Sequence, residues 1–271
     1  MSDRPGSLAE AFEAGSPAVM PYFPIGYPDF ESSFRIIERL YETGADIIEV
    51  GIPFSDPLAD GPTIQAATQA ALASGASMQS CLDGVAKLRK RGVTTPLVVM
   101  SYFNPIYQFG LREFALACSG GLADGVIIPD LPPEEANEWI GYARDANLNT
   151  IFLVAPNSSD ERITLISGVT TGFLYLVSVA GVTGARGGLP EDLKGFVQRV
   201  RRITGLPLAV GFGISSSRQV AEVGALADGV IVGSALIDEV TRALLAGLDP
   251  AEAAGEFLLD LKRATTANPN R

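Results

Sequence analysis

Histidine is absent from the 271 residues. That absence removes a Ser-His-Asp triad, His-ligated zinc and any imidazole acid or base. Proton transfer is left to Asp, Glu, Tyr, Lys or Cys. Lysine is nearly as scarce, with only Lys87, Lys90, Lys194 and Lys262. All four fall in stretches of helical periodicity, away from the strand ends where a Schiff-base amine would meet a carbonyl substrate. No group of carboxylates has ligand spacing either, so lysine-imine and metal-dependent aldolases are both disfavoured, and no metal site is expected.

Positive charge is short overall, with 20 Lys plus Arg against 31 Asp plus Glu, a net charge of −11 and a pI near 4.5. Such a surface opposes the counterion release that nucleic acids and anionic membranes require. Only two cysteines occur, Cys81 and Cys118, both in helical patterns, and they read as small buried hydrophobes in a reducing compartment with no disulfide. No run of about 18 uncharged apolar residues exists, and the polar start Met1–Gly6 has no signal-like apolar core. The expectation is a cytoplasmic protein without nucleic-acid or membrane partners.

What is present is alternation. Strand-length apolar runs recur at Val19–Phe23, Ile47–Val50, Leu97–Ser101, Gly125–Ile128, Thr150–Val154, Phe173–Val177, Leu208–Gly211 and Val230–Val232. Helical patterns separate them, such as the apolar stripe Phe30, Phe34, Ile37 and Leu40 behind a capping Asp29. Pro132-Pro133-Glu134-Glu135 reads as another helix opening, and Gly92 and Gly205 as helix ends. The run Leu122-Ala123-Asp124-Gly125-Val126-Ile127-Ile128 is nearly repeated at Leu226-Ala227-Asp228-Gly229-Val230-Ile231-Val232, and Gly44-Ala45-Asp46-Ile47-Ile48 is related. Eight strand-helix units in a chain close to the ~250 residues typical of the fold predict an α/β protein, a (β/α)8 barrel forming one domain over 1–271. An extra N-terminal helix over Ser7–Ala14 is expected beneath the barrel floor, and the tail Ala264–Arg271 is expected to fray.

In such a barrel, chemistry lies just after the strands. Glu49 ends the second strand, flanked by Ile47, Ile48 and Val50. Burial would raise its pKa and fit it for acid/base work; a solvent-facing Glu on an edge strand is the plain alternative. Asp60 follows in a loop stiffened by Pro53, Pro57 and Pro62, where Asp56 and Asp60 could equally be surface turn or capping residues. Gly211-Phe212-Gly213-Ile214-Ser215 after the seventh strand and Gly233-Ser234 after the eighth are placed to cradle a phosphate, or serve as plain turns. Ala180–Pro190 has four glycines in eleven residues and reads as a lid or a flexible connection. Tyr175, within the sixth strand, could reach the mouth or sit in the core.

At these residues the chain resembles the tryptophan synthase alpha subunit family. The resemblance is carried by Glu49–Pro62, Tyr102-Asn104-Pro105, Asp130-Leu131-Pro132, Tyr175, Gly181-Val182-Thr183-Gly184 and Gly211-Phe212-Gly213-Ile214, and it runs over nearly the whole chain. It implies retro-aldol cleavage of indole-3-glycerol phosphate to indole and glyceraldehyde 3-phosphate. By resemblance, Glu49 shuttles protons, Asp60 stabilises positive charge at the indole nitrogen, and Tyr175 supports the glycerol end. Thr183 would bind Asp60 on closure. Tyr22, Met100, Tyr102, Ile127, Leu153 and Phe212 would line the indole slot with Thr183 beside them, and Gly184, Gly213, Gly233 and Ser234 would hold the phosphate. The resemblance also implies a beta subunit in an α2β2 complex, contacted through Asp56, Pro57, Asn104 and Pro105. Pyridoxal phosphate would reside in that partner, with no cofactor in this chain. Alternatives are a lyase that releases indole without a partner, a barrel that only binds its ligand, and another sugar-phosphate barrel enzyme such as an isomerase.

Overall fold

Parallel strands and covering helices alternate along a computed structural model that describes residues 7–178, 192–211 and 213–266. The strands are β1 (Ala18–Pro24), β2 (Ile48–Gly51), β3 (Leu97–Met100), β4 (Gly125–Ile127), β5 (Asn149–Ile151), β6 (Leu153–Val154), β7 (Leu174–Val177), β8 (Leu208–Gly211) and β9 (Gly229–Val232). They pair in the order β5-β4-β3-β2-β1-β9-β8-β7-β6. The two ends of that sheet, β5 and β6, are neighbours in sequence separated only by Phe152, so the sheet curls into a nearly closed barrel. The predicted fifth strand Thr150–Val154 is therefore two pieces. Its first half pairs with β4, and from Phe152, whose carbonyl accepts the Tyr175 N–H at 3.1 Å, the chain turns to β7. Stagger between tilted strands makes one strand change partners along its length.

Every strand position from Ala18 to Phe23 on β1, and all of β2, β3, β8 and β9, is buried, as expected where both sheet faces are covered. Register then decides which side chains share the barrel interior. Tyr22 lies beside Glu49, Gly51 beside Met100, Met100 beside Ile127, and Leu153 beside Tyr175. Partnered residues in parallel strands face the same side, so these line one interior near the C-terminal mouth.

The repeated Ala-Asp signal has a job at the opposite end. Asp46 accepts the Val19 N–H at 2.8 Å, Asp124 accepts the Leu97 N–H at 2.9 Å, and Asp228 accepts the Leu208 N–H at 2.8 Å. Each Asp leads into one strand and clasps the first turn of backbone of the strand before it. Thr171 does the same ahead of β7, its hydroxyl accepting the Thr150 N–H at 2.8 Å. Four clasps thus tie successive strands together in pairs at the floor. Each Asp is also paired with a cation: Lys262 to Asp46 at 2.9 Å, Arg89 to Asp124 at 2.6 Å, and Arg201 to Asp228. Charge pairing and amide hydrogen bonds together meet the need of a partly buried carboxylate.

The extra N-terminal helix spans Leu8–Glu13, opened by a reciprocal capping box between Ser7 and Glu10. It buries Leu8 and stacks Phe12 on Phe173 with ring centres 5.6 Å apart, plugging the floor just below β7. Asp29 caps the helix Phe30–Glu42 as predicted, accepting the Ser32 N–H. Pro132-Pro133-Glu134-Glu135 forms a turn, closed by the Glu135 N–H to the Pro132 carbonyl at 3.0 Å, and the helix that follows begins at Asn137. At the other end the helix Pro250–Thr266 continues into the segment expected to fray, held by buried Leu258, Leu261 and Thr265; residues 267–271 lie outside the described residues.

Candidate active site

A pocket of about 500 Å³ opens at the C-terminal mouth, lined by Tyr22, Glu49, Asp60, Ile64, Met100, Tyr175, Gly213, Ile214, Ile231, Gly233 and Ser234. Eight of these were singled out from sequence. Glu49 is only 1 % exposed, and among the described residues its Oε1 has no hydrogen-bond partner. Burial alone raises its pKa to about 8. The edge-strand reading of Glu49 is excluded, because β2 is paired on both sides, with β1 and β3. A carboxyl in this state is neutral at pH 7 yet close to titrating, the condition for giving and taking a proton in one cycle.

Asp60 comes over the mouth from the loop after β2 and is 4 % exposed. It is no helix cap: Gly61 holds the N-cap position of the helix Pro62–Ala73, and no side chain bonds there. Burial raises the Asp60 pKa to about 6, and a hydrogen bond from the Tyr102 hydroxyl restrains the rise. That hydroxyl also accepts the Ala59 N–H at 3.0 Å, and Gln65 donates to the Asp60 carbonyl at 2.9 Å. Phe54 packs on Tyr102 with ring centres 5.5 Å apart. The loop is thus fastened from both ends around Asp60.

Two tyrosines share one construction. A side chain on Gly51 would collide with the Tyr22 hydroxyl, and one on Gly211 would collide with the Tyr175 hydroxyl. Each ring lies over the inward glycine of the adjacent strand, two residues beyond its own register partner, Glu49 for Tyr22 and Ala209 for Tyr175. Burial raises both phenol pKa values well above the usual range, so both stay protonated. After burial, Glu49 is the foremost influence on Tyr175 and Asp60 the foremost on Tyr22. Each carboxylate has its tyrosine.

On the far wall Gly213 has φ +79°, a left-handed conformation that favours glycine. Gly233 is the N-cap of the helix Ser234–Leu245 and makes no side-chain cap bond. Gly233 and Ser234 line the pocket, so the start of that helix, whose first N–H groups have no intrahelical partners, lies at the pocket wall.

Ile127 and Leu153 do not reach the pocket wall, and Tyr102 acts from behind Asp60 instead of lining a slot. Thr183, Gly184 and Phe212 lie outside the described residues, as does the whole segment Ala180–Pro190. Ile64, Ile214 and Ile231 were missed. Of these, Ile231 was legible as the residue two before Gly233 on an inward face, while Ile64 and Ile214 follow Asp60 and Gly213 closely enough to have been included. On the outer rim, Asp56 and Asn104 are exposed, Pro105 is partly so, and Pro57 is buried. Leu58 and Tyr107 stand out beside them, 82 % and 60 % exposed. Cys81 and Cys118 are buried and free. Among the described residues no helix is long and apolar enough to cross a membrane.

Fold and site define a (β/α)8 barrel with a buried carboxyl and a loop-borne carboxylate at its mouth, and the relatives make it a lyase. A sequence model described as tryptophan synthase alpha chain matches residues 8–264. A tryptophan synthase alpha chain from a Roseiflexus species is 50 % identical over 240 residues, 87 % of this chain and 92 % of the relative. One from Chloroflexus aggregans is 47 % identical over 261 residues, 96 % of each. Among solved structures, tryptophan synthase subunit alpha from Legionella pneumophila superposes with a TM-score of 0.89 at 37 % identity, covering 96 % of this chain and 98 % of the other. Mycobacterium tuberculosis tryptophan synthase gives 0.88 at 36 %, covering 97 % and 100 %. The chain belongs to the tryptophan synthase alpha chain family, whose members cleave indole-3-glycerol phosphate and work with a beta subunit.

Proposed function

We propose that Glu49 and Asp60 divide the charge and proton movements of this cleavage between them. The neutral Glu49 carboxyl gives its proton to ring carbon C3 of the indole, and positive charge develops at the ring N–H, where ionised Asp60 accepts a hydrogen bond. The carboxylate so formed at Glu49 then takes the proton of the hydroxyl on the carbon attached to C3. The C–C bond breaks, its electron pair returns to the ring to give indole, and the hydroxyl carbon becomes the aldehyde of glyceraldehyde 3-phosphate. Glu49 ends as it began, and no external oxidant or base is consumed.

Gly213, Gly233 and Ser234 hold the phosphate by backbone N–H groups, which suits a chain with no lysine at a strand end. Tyr175 supports the glycerol beside Glu49. Met100, Ile64, Ile214 and Ile231 supply the apolar wall. The chain carries no cofactor of its own. It works in the cytoplasm in an α2β2 complex, its rim of Asp56, Leu58, Asn104 and Tyr107 facing a beta subunit that holds pyridoxal phosphate.

The observation that carries this reading is the buried Glu49 carboxyl, whose Oε1 has no hydrogen-bond partner among the described residues, on the pocket that also holds Asp60. Indole released from indole-3-glycerol phosphate tests it. Glu49→Gln is expected to abolish release while ligand still binds, and near-normal turnover in that variant would sink the mechanism. Asp60→Asn should lower turnover by roughly 100-fold or more, the scale of losing a stabiliser of developing charge. Adding a beta subunit tests the partner reading separately.

A further inference from the structure

The Tyr22 hydroxyl is a polar group of the pocket that neither the fold nor the division of labour above uses. It sits over Gly51 at the end of β2, and the ring behind it leans on Gly233, so the side chain runs from the phosphate cradle to the two carboxylates. Tyr22 is 7 % exposed and lines the pocket, and among the described residues no hydrogen bond engages its hydroxyl. A phenylalanine would fill the same space. The hydroxyl therefore adds a donor to a site from which ligand expels water, and a donor stripped of water without a partner is unfavourable.

We propose that the Tyr22 hydroxyl is a positioning residue for Asp60, donating a hydrogen bond to its carboxylate when ligand fills the pocket. The inference rests on the role given to Asp60 above. Its geometry is independent of that role: Tyr22 and Asp60 line the same pocket, and the hydroxyl sits over Gly51, the last residue of β2, from which the loop carrying Asp60 departs. Among the described residues the titratable groups that share the pocket with Asp60 are Tyr22 from β1, Glu49 from β2 and Tyr175 from β7; Tyr102 donates to Asp60 from the end of β3, Asp130 accepts the next residue's N–H at 2.8 Å, and Cys81 is buried nearby. None is cationic. Hydroxyl donors are what this site has to hold the carboxylate ionised and aimed. Tyr102 supplies one in the free protein, and Tyr22 supplies a second in the complex.

The test is the pH dependence of indole formation by Tyr22→Phe, which keeps the ring. Because the bond forms only with ligand bound, the change should lie in kcat, whose profile reports the complex, and less in kcat/KM, which reports the free protein. Losing a donor to a carboxylate raises its pKa. The acid limb of the kcat profile is therefore expected to move to higher pH by about half a unit to one unit, with a roughly 3- to 10-fold loss near pH 6 that shrinks toward pH 8. A uniform loss at every pH would make the hydroxyl merely structural, and a superimposable profile would make it idle. Either result overturns the proposal. Absence of indole from the unaltered protein would instead overturn the proposed reaction.

Discussion

The hydroxyl of Tyr102 accepts the Ala59 N–H at 3.0 Å and so pins the loop that carries Asp60 to the end of β3. The same oxygen donates to the Asp60 carboxylate. One phenol both places the loop and tunes its acid. Replacing it with Phe should free the loop and raise the Asp60 pKa in the unliganded protein. The expected outcome for Tyr102→Phe is a roughly 10-fold lower kcat/KM at pH 6.5, with the acid limb of the kcat/KM profile displaced upward. An unmoved limb would show that Tyr102 serves packing alone.

The two carboxyl groups titrate on either side of neutrality, Asp60 at about 6 and Glu49 at about 8. The proposed cycle starts with Asp60 ionised and Glu49 protonated. Activity should therefore trace a bell, falling below pH 6 as Asp60 takes up a proton and above pH 8 as Glu49 loses one. A rate that climbs steadily through pH 8 would mean that Glu49 starts the cycle as a base.

Raised pKa values also act on stability, with a definite sign. Between the usual carboxyl range and pH 8 the folded protein binds more protons at Glu49 than the unfolded chain does, so this residue costs stability increasingly as pH rises through that window. Its contribution is most favourable below pH 4.5 and is lost by pH 8. Glu49→Gln should accordingly unfold at a higher temperature than the unaltered protein at pH 8, by about 2–4 °C for each kcal/mol of penalty removed, with the gap closing toward pH 4.5. Thermal unfolding at the two pH values decides it; a gap that widens as pH falls contradicts the burial argument.

Asp124 shows the floor clasp most clearly. Its carboxylate accepts the Leu97 N–H and meets Arg89, whose guanidinium also donates to the carbonyls of Gly121, Leu122, Val93 and Thr95. Asp124→Asn keeps the shape and removes the charge, leaving Arg89 half-compensated in a largely buried setting. A loss of about 2–4 kcal/mol in denaturant unfolding is expected, with kcat unchanged within about 2-fold. A matching collapse of kcat would show that floor and mouth are coupled.

The strand count and the eight residues of the pocket wall were legible because both follow from local pattern: short apolar runs, and the residues directly behind them. The split at Phe152 was not, since a change of hydrogen-bonding partner leaves no trace in hydrophobicity. The Ala-Asp repeats were visible as an echo, but the role of Asp46, Asp124 and Asp228 depends on the strand beside each one. Thr171 belongs to the same set and has no sequence likeness to it. Tyr102 was read by family likeness as a slot residue; only the return of the loop, which brings Ala59 and Asp60 to its hydroxyl, makes it a fastening. Asp60 itself resembled a cap until Gly61 was seen to occupy that place.

The four floor clasps and the plugging N-terminal helix lie at the end of the barrel opposite Glu49 and Asp60. An engineer seeking a hardier catalyst can therefore work on the rings of Asp46, Asp124, Thr171 and Asp228 and on the helix Leu8–Glu13, adding endurance to heat without retuning the acids that set turnover. If Asp124→Asn leaves kcat intact as expected, the same separation gives natural variation two dials, one for the climate a protein must survive and one for the speed at which it works.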